Sequence, residues 1–452
     1  MGATFDLDVL VSVVADATSV PTAGFGVAVY AADAANLDVG FTERIRYYTS
    51  AADAAADTDL SAVEIAAVSA VFAQELHIST VGVARIEADV AQDISFDFTG
   101  TIEVDDIISI TVNGIATSYT ATSAVLATEV AALKALVITA LAAEPVTVGG
   151  ATTHITVVAD VAGEPFSYTS SYIAIDAGTV VIAETVTAAG VGIESELDAV
   201  LSESDAWYSL AIYSRAEAQI TRASRWTESN KRLFIAQTSD ADIKTAAGTD
   251  LGTILNGLSY RRTALCWHAT DAQFLDMALP GKKLQADPDV TTTTWDKTNL
   301  SGITVDSMTT TEKTNILANH ANAYLPFKGT PVLSPGKTVD GLPIDLLTTT
   351  DWVAARIDEA ISTEILRLAN INSKVPYTDA GIQSLRALVE AVLAQGVRAG
   401  HFTQGTATVV APRASDVSTV IKQSRRLTMS FSVEGAGAIE GVTVSGVVAV
   451  DL

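Results

Sequence analysis

Hydrophobic and polar residues alternate at both ends of the chain. Phe5, Leu7, Val9, Val11 and Val13 are spaced two apart, with Asp6, Asp8 and Ser12 among the intervening positions. Near the other end Leu427, Met429, Phe431 and Val433 alternate with Thr428, Ser430 and Ser432. Beyond Gly435, Gly437 and Gly441 come Val442, Val444, Val448 and Val450. This period predicts strands with one buried face. A strand at a tethered chain end is completed by its own sheet or by the sheet edge of a neighbour, and the second route builds polymers. The three glycines read as hinges, because glycine absorbs large changes in φ and ψ.

The interior alternates in texture. A buried strand is predicted at Phe25, Val27 and Val29, a second over residues 44–48, a helix over about 61–74 and a strand over 77–86. Around Phe96 the pattern turns β-rich. The turn pair Asn113-Gly114 between two apolar runs predicts a hairpin, followed by a helix over about 123–143 and strands near 154–159 and 179–187. From about 190 an α/β alternation resumes: helix near 205–228, strand at 233–236, helix near 250–259, strand at 263–267, helix near 271–278. Two stronger helices follow, one from near Asp351 with Val353, Ile357, Ile361, Ile365 and Leu368 at helical spacing, the other from Thr378 or Asp379. The expected class is α/β (α+β) and multidomain. An N-terminal arm (1–22) is followed by a discontinuous core (23–95 and 190–426), a β-rich insert (96–189) and a C-terminal strand, hinge and arm (427–452).

Charge sharpens this division. Residues 1–200 hold 27 acidic and 4 basic residues, residues 201–452 hold 26 and 23, and the chain carries a net charge of −26. So acidic a front half argues against a nucleic-acid groove, which needs clustered Lys and Arg. No basic residue precedes Arg44, so no secretory leader is expected, and the most apolar long window, 124–143, is broken by Glu129 and Lys134. No membrane insertion is expected.

Catalytic signals are sparse. Motifs for a phosphate loop, a zinc helix, a nucleophile elbow or paired cysteines are missing. The single cysteine, Cys266, sits in the apolar run Ala264–Trp267 and reads as a buried thiol. His77, His154, His268, His320 and His401 have no metal-ligand spacing among them. Asp105-Asp106 and Asp358-Glu359 are acidic pairs that also read as solvated surface charge. Asp287, Asp289 and Asp296 lie in a threonine-rich loop that matches no calcium-loop spacing. The expectation is no catalytic residue, no metal and no cofactor.

Several segments of the second half resemble contractile phage tail sheath proteins. They are Pro280-Gly281-Lys282, Trp295 to Ile303, Asn319 to Tyr324 (NHANAY), Gly336 to Asp345 (GKTVDGLPID), Val375 to Gly381 (VPYTDAG) and Gly396 to Gly400 (GVRAG). Arg44 to Tyr48 and Val71 to Gln74 are similar to elements nearer the family's front. The matches keep the family's order over roughly 23–95 and 190–452. The segment 96–190 falls outside its core pattern and resembles the variable outer domains that such sheaths insert. The resemblance implies a structural virion subunit, made in the host cytoplasm and assembled in the phage tail. Its implied partners are other copies of itself, a tail tube protein, and baseplate and tail terminator proteins.

Under that reading the arms link subunits. Burying the five apolar side chains of the N-terminal arm gains about 10 kcal/mol, while ordering about nine residues costs about 10–15 kcal/mol. Strand hydrogen bonds within a lattice must supply the difference. Lys422, Arg425 and Arg426 form a basic cluster that the reading points toward an acidic tube surface. Two other classes stay open: an acidic surface-layer or adhesin-type protein, and a carboxylate-dependent hydrolase.

Overall fold

The computed structural model describes residues 24–246 and 248–439. The strands expected at Phe5–Val13 and Val442–Val450, and Gly441 with them, lie outside the described residues. Residues 33–36 and 85–203 form one compact unit, and the described remainder forms the other. The expected insert, 96–189, falls within the former.

The chain opens with β1 (Val27–Asp33), β2 (Ile45–Tyr48), α1 (Ala51–Ala56), α2 (Ala62–Phe72) and β3 (Thr80–Ile86). It continues with β4 (Asp93–Thr99), β5 (Ile107–Val112), β6 (Ile115–Thr120), α3 (Leu126–Ala140), β7 (Val146–Gly149), β8 (His154–Ala159), β9 (Tyr168–Ile173), β10 (Val181–Ala188) and α4 (Ile193–Glu203). Then come β11 (Ser209–Ile212), α5 (Glu217–Asn230), β12 (Leu233–Thr238), α6 (Leu251–Gly257), β13 (Thr263–Trp267) and α7 (Leu275–Lys283). The last stretch holds α8 (Thr310–Ala318), β14 (Ala321–Phe327), β15 (Thr330–Ser334), α9 (Ile344–Asn370), α10 (Asp379–Ala399), β16 (Thr408–Val410), α11 (Thr419–Gln423) and β17 (Ser430–Ser432).

An eight-stranded sheet, ordered β15-β14-β13-β12-β11-β1-β3-β2, organises the larger unit. From β1 through β11, β12, β13 and β14 the pairing is parallel, and the end pairs β14–β15 and β2–β3 are antiparallel. Parallel strands need crossovers, supplied here by α5 and α6, and they bury both faces. Every residue of β11, β12 and β13 is accordingly buried. Cys266 is among them, and burial pushes its thiol pKa far up.

The smaller unit joins a four-stranded sheet, β10-β4-β8-β7, and a three-stranded sheet, β6-β5-β9, with α3. Phe96, Phe98, Ile108, Ile110, Leu133, Val137 and Ile155 form its core. The β5–β6 hairpin turns on Asn113 (φ 51°) and Gly114 (φ 79°), the left-handed pair that a two-residue turn requires.

Two expectations are corrected. Residues 209–212 lie not in a helix but in a fully buried strand, β11, and helices α4 and α5 flank it; a four-residue segment with three apolar residues in a row has no period to separate the two states. Helix α9 begins at Ile344, not near Asp351. Its first turns carry Thr348, Thr349 and Thr350, poor helix formers whose hydroxyls turn inward: Thr348 Oγ1 donates to Asp345 O (2.9 Å) and Thr350 Oγ1 to Leu346 O (2.9 Å).

Helices α2 and α7 meet at Gly281, where a Cβ would lie 2.7 Å from Val71 Cγ1 and 3.1 Å from Val71 Cα. Gly281→Val is expected to cost about 1–3 kcal/mol through overpacking. Urea unfolding checks it: the midpoint falls at unchanged slope.

Candidate functional site: an open sheet edge over an apolar groove

Helices α9 and α10 pair through stripes set by their sequences. Ile357, Ile361 and Ile365 recur every four residues on α9, and Ile382, Leu385 and Val389 recur at three and four on α10. Thr378 caps α10, its Oγ1 accepting from Gly381 N at 3.3 Å. Gly400 ends the helix in the left-handed region (φ 88°), where only glycine is unstrained, and its N–H donates to Val397 O at 3.2 Å.

One carboxylate ties this helix pair to the loop that follows α7. Asp289 Oδ1 accepts from Trp352 Nε1 at 2.8 Å and from Arg356 Nε at 2.7 Å, while Oδ2 accepts from Arg356 Nη2 at 3.0 Å. Gln395 Nε2, from α10, donates to the same Oδ1 at 3.3 Å. Burial pushes the Asp289 pKa up, but the hydrogen bonds from Arg356 and Trp352 and the guanidinium charge outweigh it and hold the carboxyl below the usual range. His401 stacks on Trp352 (ring centroids 4.8 Å apart), faces Thr349 Oγ1 through Nδ1 (2.8 Å) and meets Pro288 O through Nε2 (2.7 Å). Burial lowers its pKa, and a neutral ring that donates to Pro288 O and accepts from Thr349 satisfies both contacts.

Beyond this clamp the helices leave a groove of about 960 Å³. Ile357, Ile361 and Ile365 form one wall, Ile382, Leu385 and Val389 another, and Leu427, Met429 and Phe431 a third side. Strands β16 and β17 pair antiparallel beside it, Val409 opposite Phe431. Alternation turns Val409, Phe431 and Val433 into the core and leaves Thr408, Val410 and Ser430 exposed. Among the described residues β16 and β17 form a sheet of their own with both outer edges free. Three residues per strand are too few for an isolated hairpin to be stable.

The residues singled out from sequence distribute unevenly around this groove. Arg425 and Arg426 line it together with Lys374, which precedes Pro376 and was not among the expected site residues. Lys422 sits in α11, and Arg425 takes a left-handed backbone (φ 57°) just after that helix. Gly435 is held rather than free: it bridges Phe402, while Glu434 O accepts from Thr403 N (2.9 Å) and Ala436 N donates to His401 O (2.8 Å). Gly437 lies in open space.

Candidate chemical groups are engaged elsewhere. Asp296 pairs with Lys297, and Asp287 Oδ1 accepts from Asp289 N at 2.9 Å. With Asp289 held by Arg356, the three aspartates form no calcium cage, and among the described residues no group of three His, Cys, Asp or Glu side chains is placed to hold a metal. Asp106 accepts from Glu103 N (2.9 Å), Ile175 N (2.8 Å) and Tyr172 OH (2.7 Å), a structural role. Glu359 pairs with Arg356 at 2.8 Å. No described helix is long and apolar enough to cross a membrane.

No protein-family model matches the chain, and no curated protein matches it. Solved structures do. The sheath complex of the PVC extracellular contractile injection system, in the contracted state, superposes with a TM-score of 0.53 at 9% identity, covering 100% of this chain and 99% of that one. The contracted helical sheath of the anti-feeding prophage (AFP) gives 0.52 at 10% identity, over 97% and 98%. The chain has the fold of a contractile-sheath subunit. Within the sheath fold, near-complete coverage of both chains includes the α9–α10 pair and the β16–β17 sheet.

The Asp289 clamp has a defined pH signature. Its folded pKa lies below the unfolded value near 3.9, so its stabilisation is complete above about pH 4 and is lost as pH falls through the folded value. Asp289→Ala is expected to cost about 2–3 kcal/mol at neutral pH. In urea titrations between pH 6 and pH 3, Asp289→Asn is expected to flatten the acid-side loss of stability relative to the unsubstituted protein.

Proposed function

We propose that this chain is the structural subunit of a contractile tail sheath. Copies polymerise helically around a tail tube, and contraction of the cylinder drives the tube through the host envelope. The observation that carries this reading is the β16–β17 sheet, whose edges no other described strand pairs with, lying beside an apolar groove in a chain of sheath fold. Segments 5–13 and 442–450 of neighbouring copies are the strands that complete it. Each has an apolar side for the groove; the other side mixes polar residues with Leu10 in the first segment and with Val447 and Ala449 in the second. Asp6 and Asp8 of the N-terminal segment match the charge of Lys374, Arg425 and Arg426 at the groove. In this reading Arg425 and Arg426 serve the arm rather than the tube, which amends the role expected of that cluster.

Contraction follows from the same geometry. A head-to-tail contact whose rotation does not close yields an open helix. If subunit bodies repack while the strand links persist, one lattice has two lengths. Gly435 is tied to Phe402, so the pivot of the C-terminal arm starts at Gly437 and Gly441. The energy released on contraction is stored at assembly. Tube, baseplate and terminator proteins are the partners this role requires.

Deleting 439–452, or introducing Ile361→Asp on the groove wall, is expected to abolish long tubes in negative-stain micrographs of the purified protein. The thermal midpoint of the unassembled subunit should move by only a few degrees, since Ile361 is half-buried there. Tubes of normal length from both variants would overturn the strand-exchange reading.

A further inference from the structure

Building on the sheath reading, we infer that assembly of this chain takes up inorganic cations, so that ionic strength switches the lattice on. The smaller unit carries 18 acidic residues against 2 basic ones, a balance of −16 out of the chain's −26. Part of the positive charge elsewhere is already paired within the subunit. At least ten of the 27 Lys and Arg residues sit in intrachain ion pairs, among them Arg215–Asp276 (2.6 Å), Arg262–Asp351 (2.6 Å) and Arg356–Asp289 (2.7 Å). Acidic side chains such as Glu164, Asp176 and Glu203 are exposed.

A helical polymer of identical copies sets this surplus against itself. The screening length is about 10 Å at 0.1 M salt and about 3 Å at 1 M. Neighbouring negative surfaces therefore repel at low salt and are relieved at high salt. Among the described residues no cluster is placed to ligate a metal, so the cations act as a screening cloud and not as bound ions. The sign is diagnostic: a lattice held by ion pairs between subunits weakens with salt, whereas this one strengthens.

The test is the threshold concentration for tube formation by the purified full chain, read by sedimentation and electron microscopy. Between about 0.1 M and 1 M NaCl the threshold is expected to fall at least about tenfold. MgCl₂ at matched ionic strength, about a third of the NaCl concentration, should substitute for NaCl, which separates screening from salting-out of apolar surface. The triple variant Glu164→Gln, Asp176→Asn, Glu203→Gln should form tubes at lower NaCl than the unsubstituted chain. A threshold that is flat or rises with NaCl overturns the inference, as does a fall that neither magnesium nor the triple variant reproduces. Absence of tubes in every salt overturns the sheath reading itself.

Discussion

A β-strand directs its backbone donors and acceptors sideways, and a sheet is finished only when both edges are covered, solvated or paired. That constraint governs the C-terminal part of this molecule. The eight-stranded sheet ends in antiparallel pairs, whereas β16 and β17 hold three residues each and, among the described residues, pair only with each other. Their inward side chains, Val409 and Phe431, meet an apolar hollow that two long helices hold open. Water occupies such a hollow at a cost, and a strand with alternate apolar residues removes that cost while pairing the open edge.

The hollow exists because the helices cannot collapse onto each other. Asp289 gathers Trp352, Arg356 and Gln395 at one end of the pair, and the stacked rings of Trp352 and His401 fill the space beside it. Gly396 lets Phe402 approach α10 so closely that any Cβ there would overlap the ring. Tight packing at the clamped end fixes the spacing at the open end. A charged hub does this better than apolar contact alone, because its hydrogen bonds set direction as well as distance.

Much of the fold was legible in the chain, for identifiable reasons. Asn113-Gly114 specified its hairpin, Thr378 marked the start of α10, and the run at 263–267 is β13. Local signals failed where tertiary contact decides: the threonines opening α9 hid its first two turns, and β11 was too short to show a period. The groove was out of reach for a different cause. Its walls come from residues near 361, 385 and 429, which no spacing rule connects. Nothing in the sequence around Asp289 pointed to its partner, a guanidinium 67 residues away. A lone carboxylate in sequence does not announce which cation it will meet.

The smaller unit enters the chain after β3 and leaves it before β11, so the larger unit's sheet is built from segments on both sides of it. Its own core of Phe96, Phe98, Ile108 and their neighbours shares no member with the cluster around Tyr30 and Trp352. To the host an insertion of this kind is one long loop, and doubling a loop's length costs only about 0.6 kcal/mol in closure entropy. Evolution is thereby free to trade, enlarge or discard the module, while the sheet and the paired helices of the larger unit inherit none of those changes.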